Sequence, residues 1–269
     1  MSDVDPANLI HTRIWQEEPE PDNPFATRAA YCRGYDVFGE MVGNARWVEM
    51  LLLLFRDELP DTAAVNMLEA LAVALANPGP RDPSVHAAMC GGVGGSTAAA
   101  ALIAALSVGA GRNGGAREVF DAMTLWSRYG TNLDAWRGWG QDLDSESMEV
   151  WPAPEHCPGF DPHGVSATKA VCQLLETLAG LGNFELLRWL LARRQELQEV
   201  AGRPLALTGV AAAAFVDLGF VPKEGEMLYL LLRLPGAAAH ALEQEQLGFK
   251  RFPFYAVELD DVSSARKVS

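Results

Sequence analysis

Basic charge is scarce in this sequence: 21 Lys and Arg stand against 35 Asp and Glu over 269 residues, a formal charge of -14. A field of that sign repels nucleic acid and anionic membrane surfaces unless basic groups cluster locally. The groupings present, Arg193 with Arg194 and Lys250 with Arg251, are pairs of the kind that solvated surfaces carry. The composition therefore points away from nucleic acid, and an acidic substrate needs a locally basic pocket. Cysteine is also sparse. Cys32, Cys90, Cys157 and Cys172 lie far apart with no CxxC spacing, which reads as reduced, mostly buried thiols. The acidic start "MSDVDPANLIHTRIW" has no basic segment followed by an apolar one, so no signal peptide is expected and the cytoplasm is the expected location.

Several reaction signatures are missing. There is no GxSxG elbow, and Cys157 or Cys172 as nucleophile would need a His that sequence cannot place. "GGVGGST" lacks the Lys of a phosphate loop and follows no strand. Ligand spacing is approached only by His156 and Cys157 with Asp161 and His163, which an ordinary polar loop explains as well. No metal and no bound cofactor are expected. Charge is absent altogether from Pro83 to Gly111, a stretch long enough to cross a bilayer. Its six glycines, its Ser84, His86, Ser96, Thr97 and Ser107, and the lack of an aromatic belt favour buried helices instead, with no membrane partner.

What is present is helical. Residues 1–30, polar and proline-bearing, read as an N-terminal arm. "ARWVEMLLLLFRDEL" at 45–59 is apolar on nearly all faces and stops at Pro60. Asp61 is placed to cap the next helix, which ends at Asn77 to Pro80. A helix from Pro83, a small-residue crossover and a second helix ending at Gly109 to Gly111 follow. Gly91 and Gly95 would let helices approach closely, within the chain or across a dimer. The next helix starts near Gly115. After an irregular acidic, Trp- and Pro-bearing part at 131–157, the periodicity returns from Ser166 in segments closed by Gly or Pro. The pattern predicts about ten helices and no alternating strands, an all-α fold. Candidate acid-base groups are His86, His163, His240, Asp161 and Glu243; a lone His on a small-residue helix is more commonly a packing or surface residue.

Five blocks in order carry a resemblance. "YCRGYDVFGEMVGNARWVEMLLLLFRDELP", "SVHAAMCGGVGGSTAAAALIAALSVGAGRNGGA", "PGFDPHGVSATKA", "GRPLALTGVAAAAFVDLGF" and "LLRLPGAAAHALEQ" together resemble the citrate synthase family, in its short, citryl-CoA-lyase-like branch. They span about Tyr31 to Tyr255. The resemblance implies an all-α homodimer with a large domain (31–155 and 230–269) and a small one (156–229). It also implies an acyl-CoA and a 2-oxo acid as substrates, and Claisen-type formation or cleavage of a carbon–carbon bond. A catalytic paralogue is a further possible partner. In the family a carboxylate removes the acyl α proton, one His stabilises the enol and a second His protonates the attacked carbonyl. An α proton of a thioester is weakly acidic, so base and oxyanion donor must act together.

Carried over residue by residue, the enol-stabilising His falls on Asn113, in the turn before Gly114 and Gly115, whose amide can still donate a hydrogen bond but cannot transfer a proton. The second His falls on Pro162, with His163 one place late and Asp161 one place early. The catalytic Asp falls on Thr208 and its neighbouring Asn on Ala206, so the resemblance leaves no carboxylate at that helix start. Arg233, His240 and Glu243 match the substrate-side helix, where the family's Arg contacts a substrate carboxylate; Arg233 and Glu243 as plain fold-holding ion pairs is the other reading. Arg251 lies near the family's C-terminal arginine element, though Phe252 and Phe254 stand where its arginines belong. Two readings result: an enzyme with a rearranged site using Asn113, His163, Asp161 and Thr208, or a non-catalytic binding or regulatory relative.

Overall fold

The computed structural model describes residues 11–139 and 156–252. Most of the irregular segment at 131–157, Phe254 and the first ten residues of the arm lie outside them. The described part of the arm is not a loose tail. β1 (Trp15–Pro19), β2 (Thr27–Cys32) and β3 (Tyr35–Asp36) form an antiparallel sheet in the order β1-β2-β3, pairing Trp15 with Cys32 and Tyr31 with Asp36. This corrects the expectation of an arm and of no strands. β1 is exposed and acidic on both faces, so the apolar alternation that marks a half-buried strand is missing. The β2–β3 link is the two-residue loop Arg33-Gly34, both with positive φ, as tight hairpins require. Arg33 bears that conformation although it is not glycine. Its guanidinium is tied to Asp57 at 2.7 Å and to the Leu54 carbonyl at 3.4 Å.

Ten α-helices follow among the described residues: α1 (Trp47–Phe55), α2 (Thr62–Leu75), α3 (Pro83–Val93), α4 (Ala98–Gly109), α5 (Ala116–Tyr129), α6 (Leu133–Trp136), α7 (Lys169–Gly180), α8 (Glu185–Ala201), α9 (Leu207–Asp217) and α10 (Pro222–Leu247). The stop and start signals act as read. Asp61 accepts from Ala64 N at 2.7 Å, Asp82 caps α3 with Pro83 in its first turn, and Gly202 ends α8 in the left-handed region. α1 ends earlier than Pro60 because Arg56 leaves the helix, its guanidinium 4.1 Å over the Phe220 ring and 3.3 Å from Glu224.

Two compact units divide the chain: residues 1–76 with 110–233, and residues 77–109 with 234–269. These borders fall elsewhere than at 156 and 229. In the first unit the core is built on α9, whose residues Thr208 to Phe215 are all buried. A helix apolar on every side needs neighbours on every side; α5, α7 and α8 supply them, with Trp126 edge-on to Trp136 at 4.7 Å. In the second unit, α3 and α4 pair through Gly91, where an added Cβ would stand 3.0 Å from the Ala101 backbone. Gly92 lies against the Ala241 carbonyl, closer than any side chain permits. Gly95, expected at a helix contact, instead takes a positive φ in the α3–α4 turn with nothing around its Cβ position. Among the described residues no helix is long and apolar enough to cross a membrane.

Candidate functional site

α5 begins at the glycine turn. Gly114 takes φ +73° and Gly115 is the extended cap residue, so Glu118 falls in the first helical turn, where a carboxylate can reach back to the amides ahead of the helix. Glu118 does this while 4% exposed. Its Oε2 accepts from Gly114 N at 2.5 Å. Its Oε1 accepts from Gly159 N at 3.1 Å and from the Thr208 hydroxyl at 2.8 Å. Three chain segments therefore end on one carboxylate.

The second of these segments is Cys157 to His163. It runs antiparallel to 204–206: Phe160 bridges Leu205, Asp161 N donates to Pro204 O at 2.8 Å, and Ala206 N donates to Gly159 O at 3.0 Å. Gly159, at φ +90°, lies directly on the first turn of α9; a Cβ there would sit 2.8 Å from the Gly209 Cα. Paired glycines let the loop backbone touch the helix backbone, bringing the loop to Thr208.

The opposite side of the Gly114 residue is held as well. Its carbonyl accepts from Arg233 Nη1 at 3.1 Å and from the Tyr229 hydroxyl at 3.3 Å, with the Arg233 guanidinium 4.8 Å over the Tyr229 ring. Arg233, 6% exposed, thus serves the turn itself. The first unit brings together the segments that carry Asn113 with Gly114 and Gly115, Asp161 with His163, Thr208, and Arg233, through the bonds of Gly114, Gly159 and Thr208 to Glu118 and of Arg233 to the Gly114 carbonyl. His240 and Arg251 belong to the second unit, where His240 Nδ1 lies 3.3 Å from Glu243 and Arg251 is exposed on a short 3-10 turn.

The chemistry on offer can be read group by group. Asn113 and His163 are exposed. Asp161 is half-buried and accepts from His163 N through Oδ1 at 2.9 Å, and among the described residues its Oδ2 has no hydrogen-bond donor. Cys157 is fully buried; burial, and then the Glu118 charge, push its thiol pKa up, so it is a packing thiol and no nucleophile. All four cysteines are free, and Cys90 is exposed rather than buried. No group of three His, Cys, Asp or Glu among the described residues is placed to hold a metal ion. Beyond His163 the same unit opens a groove of about 760 Å³ along residues 164–167, bordered by Cys172, Arg194, Gln198 and Arg203. Arg194 points a guanidinium N–H at the Cys172 sulfur.

No family model matches the chain, and no curated protein matches it by sequence. Solved structures do match in shape. Citryl-CoA lyase from Hydrogenobacter thermophilus superposes with a TM-score of 0.70, covering 94% of this chain and 96% of its own at 21% identity. The fold is citrate synthase-like. ATP citrate lyase from Methanothrix soehngenii, in complex with citrate and coenzyme A, gives a TM-score of 0.71 at 18% identity. It covers 97% of this chain but 43% of its own length. A mutant ATP citrate lyase from Methanosaeta concilii, in complex with (3S)-citryl-CoA, gives 0.67 at 18% identity over 98% of this chain and 44% of its own. The chain thus spans less than half of the ATP citrate lyases it resembles.

Within this citrate synthase-like fold, the residue that sequence reasoning overlooked is Glu118. The helix start at Thr208, read as lacking a carboxylate, has one at hydrogen-bond distance, supplied from another helix 90 positions away. The available signal was a Glu three places after Gly115, the spacing at which a helix's third residue bonds back over its own start.

Proposed function

We propose that this chain binds an acyl-CoA and a 2-oxo acid and makes or breaks the carbon–carbon bond between them. The observation that carries the proposal is the placement of the Asp161–His163 loop. On one side it is tied through Gly159 to the turn bearing Asn113, and on the other it opens into the groove with Arg194 and Arg203. A groove of that volume suits a cofactor-sized ligand, and two guanidiniums suit its phosphates. In this reading Asp161 takes the acyl α proton and the Asn113 amide donates to the thioester oxygen, where negative charge gathers. His163 gives a proton to the keto oxygen as the new bond forms; cleavage is the reverse. We also expect a homodimer, since α4 carries no charge and leaves Ile103 and Val108 exposed.

A second reading is favoured by one specific observation. Both oxygens of Glu118, the carboxylate beside Thr208, are taken by protein donors, which suits a binding or regulatory subunit that has lost its base. One experiment separates the two. Purified protein is given acetyl-CoA with a panel of 2-oxo acids, and separately citryl-CoA, while the condensed acyl-CoA, or the acetyl-CoA and 2-oxo acid set free, is followed and CoA thioester binding is measured by calorimetry. Turnover supports the first reading, and tight binding without turnover moves the protein to the second. Neither binding nor turnover sinks both.

A further inference from the structure

We infer that Glu118 is the positioning residue of the candidate site, a single buried carboxylate that sets the register of the Asn113 turn, the Asp161–His163 loop and the first turn of α9. The inference deepens the acyl-CoA reading and rests on it for the chemical roles of those segments. Each of the three donors stands next to a group of interest. Gly114 follows Asn113 directly, Gly159 precedes Asp161 by two residues, and Thr208 is itself the third.

The demand on residue 118 is strict. The two backbone N–H groups can only donate, and the Thr208 hydroxyl donates as well, so the group between them must accept at both ends. A carboxylate does. A glutamine of the same shape cannot, because its NH2 must face either Gly114 N or the Gly159 and Thr208 side. Thr208 can turn its hydroxyl to accept, but an amide cannot, so Glu118→Gln orphans one of the two glycine amides whichever way it is set. The other end of the turn is fixed independently by Arg233 and Tyr229 on the Gly114 carbonyl, so losing the Glu118 arm pivots the Asn113 turn about that carbonyl and leaves the fold standing.

The test uses Glu118→Gln and Glu118→Asp in the full chain, with three readouts. First, amide hydrogen exchange at Gly114 and Gly159 is compared with Ala213 in the middle of α9. We expect Gly114 or Gly159 to exchange about tenfold faster in Glu118→Gln, with Ala213 unchanged. Second, formation or cleavage of the carbon–carbon bond should show kcat lowered by about tenfold to a hundredfold with KM for the acyl-CoA within about twofold, since misplaced reacting groups cost rate rather than binding. Third, calorimetric CoA stoichiometry should stay full, which separates misplacement from partial unfolding. Glu118→Asp keeps the charge but is one methylene short of spanning three donors. It should stay folded and lose protection at one of the two glycines, so the question stays decidable if the glutamine variant does not fold. Wild-type exchange at both glycines in either folded variant overturns the inference, as does a fall in kcat no larger than the fall in stoichiometry. If the wild-type protein turns over none of the substrates, the acyl-CoA reading fails separately, and the exchange pattern still decides whether Glu118 fixes the three segments.

Discussion

The two compact units use glycine for opposite ends. In the unit of 77–109 and 234–269, Gly91 and Gly92 bring helix backbones together, and the apolar cluster around them is built of Ala, Val and Met. In the unit of 1–76 and 110–233, Gly159 and Gly209 bring loop backbone to helix backbone and Gly114 turns the chain at φ +73°, so that a buried carboxylate can collect the amides of Gly114 and Gly159. The first arrangement is non-directional, and its helices can slide apart as rods when a methyl is added. The second is directional, and its parts cannot shift without leaving buried donors unpaired.

The sharpest way to break this contrast is Gly209→Ala. The new methyl would run into the Gly159 carbonyl, which Ala206 N holds in place, while Asp161 N and Glu118 hold the rest of the loop. Relaxation is blocked on three sides, so we expect a loss of about 3 kcal/mol in denaturant unfolding together with faster exchange at Gly159. Gly92→Ala meets the Ala241 carbonyl as closely, yet the strain there can be shared by moving α3 bodily, and Ala is the better helix former by roughly 1 kcal/mol. A loss of about 1–2 kcal/mol is expected, with exchange at Gly114 and Gly159 unchanged. If Gly92→Ala proves the costlier of the two, the distinction between rods and pins is wrong.

The smallest effect sharpens what is particular to Glu118. Asp217 is another carboxylate that ties elements together, accepting from Leu186 N at 3.0 Å and Leu187 N at 2.9 Å at the start of α8, but it is only half-buried. Burial raises its pKa above the ordinary 3.8, with the two backbone hydrogen bonds partly offsetting this. A raised folded value means that its proton-linked stabilisation is complete below 3.8 and is lost as pH rises through the folded value. The stability difference between wild type and Asp217→Asn should therefore shrink as pH climbs through that window and then level off, by thermal midpoint. A difference that grows with pH would contradict the direction of the shift.

How much of this was legible in the sequence differs between local and long-range features. Helix positions were readable because capping residues, Pro and Gly act within a few residues of the element they bound, as Asp61, Pro83 and Gly202 do. The sheet was not readable. "WQEEP" is solvated on both faces and "TRAAYC" carries two small alanines, so neither run shows contrast with a period of two. The site residues at 113, 161, 163 and 208 came from ordered blocks of resemblance, and the chain does bring their segments together. Glu118 escaped because its partners lie at 114, 159 and 208, separations that no local pattern encodes. The same blindness affects the exchange of Thr208 for Asp that the resemblance invites. It would set a second carboxylate against the first at about 3 Å, and only one of the two could ionise readily.

The Gly114 residue, gripped by an anion at its nitrogen and by a cation and a phenol at its oxygen, has a further consequence. Among the described residues the Asn113 side chain makes no hydrogen bond, so nothing in the grip depends on which amino acid stands at 113. The fixture and the tool it presents are separable. Mutation can exchange the tool at little cost in folding, and a lineage can therefore change or abandon a reaction at this position long before its architecture records the event.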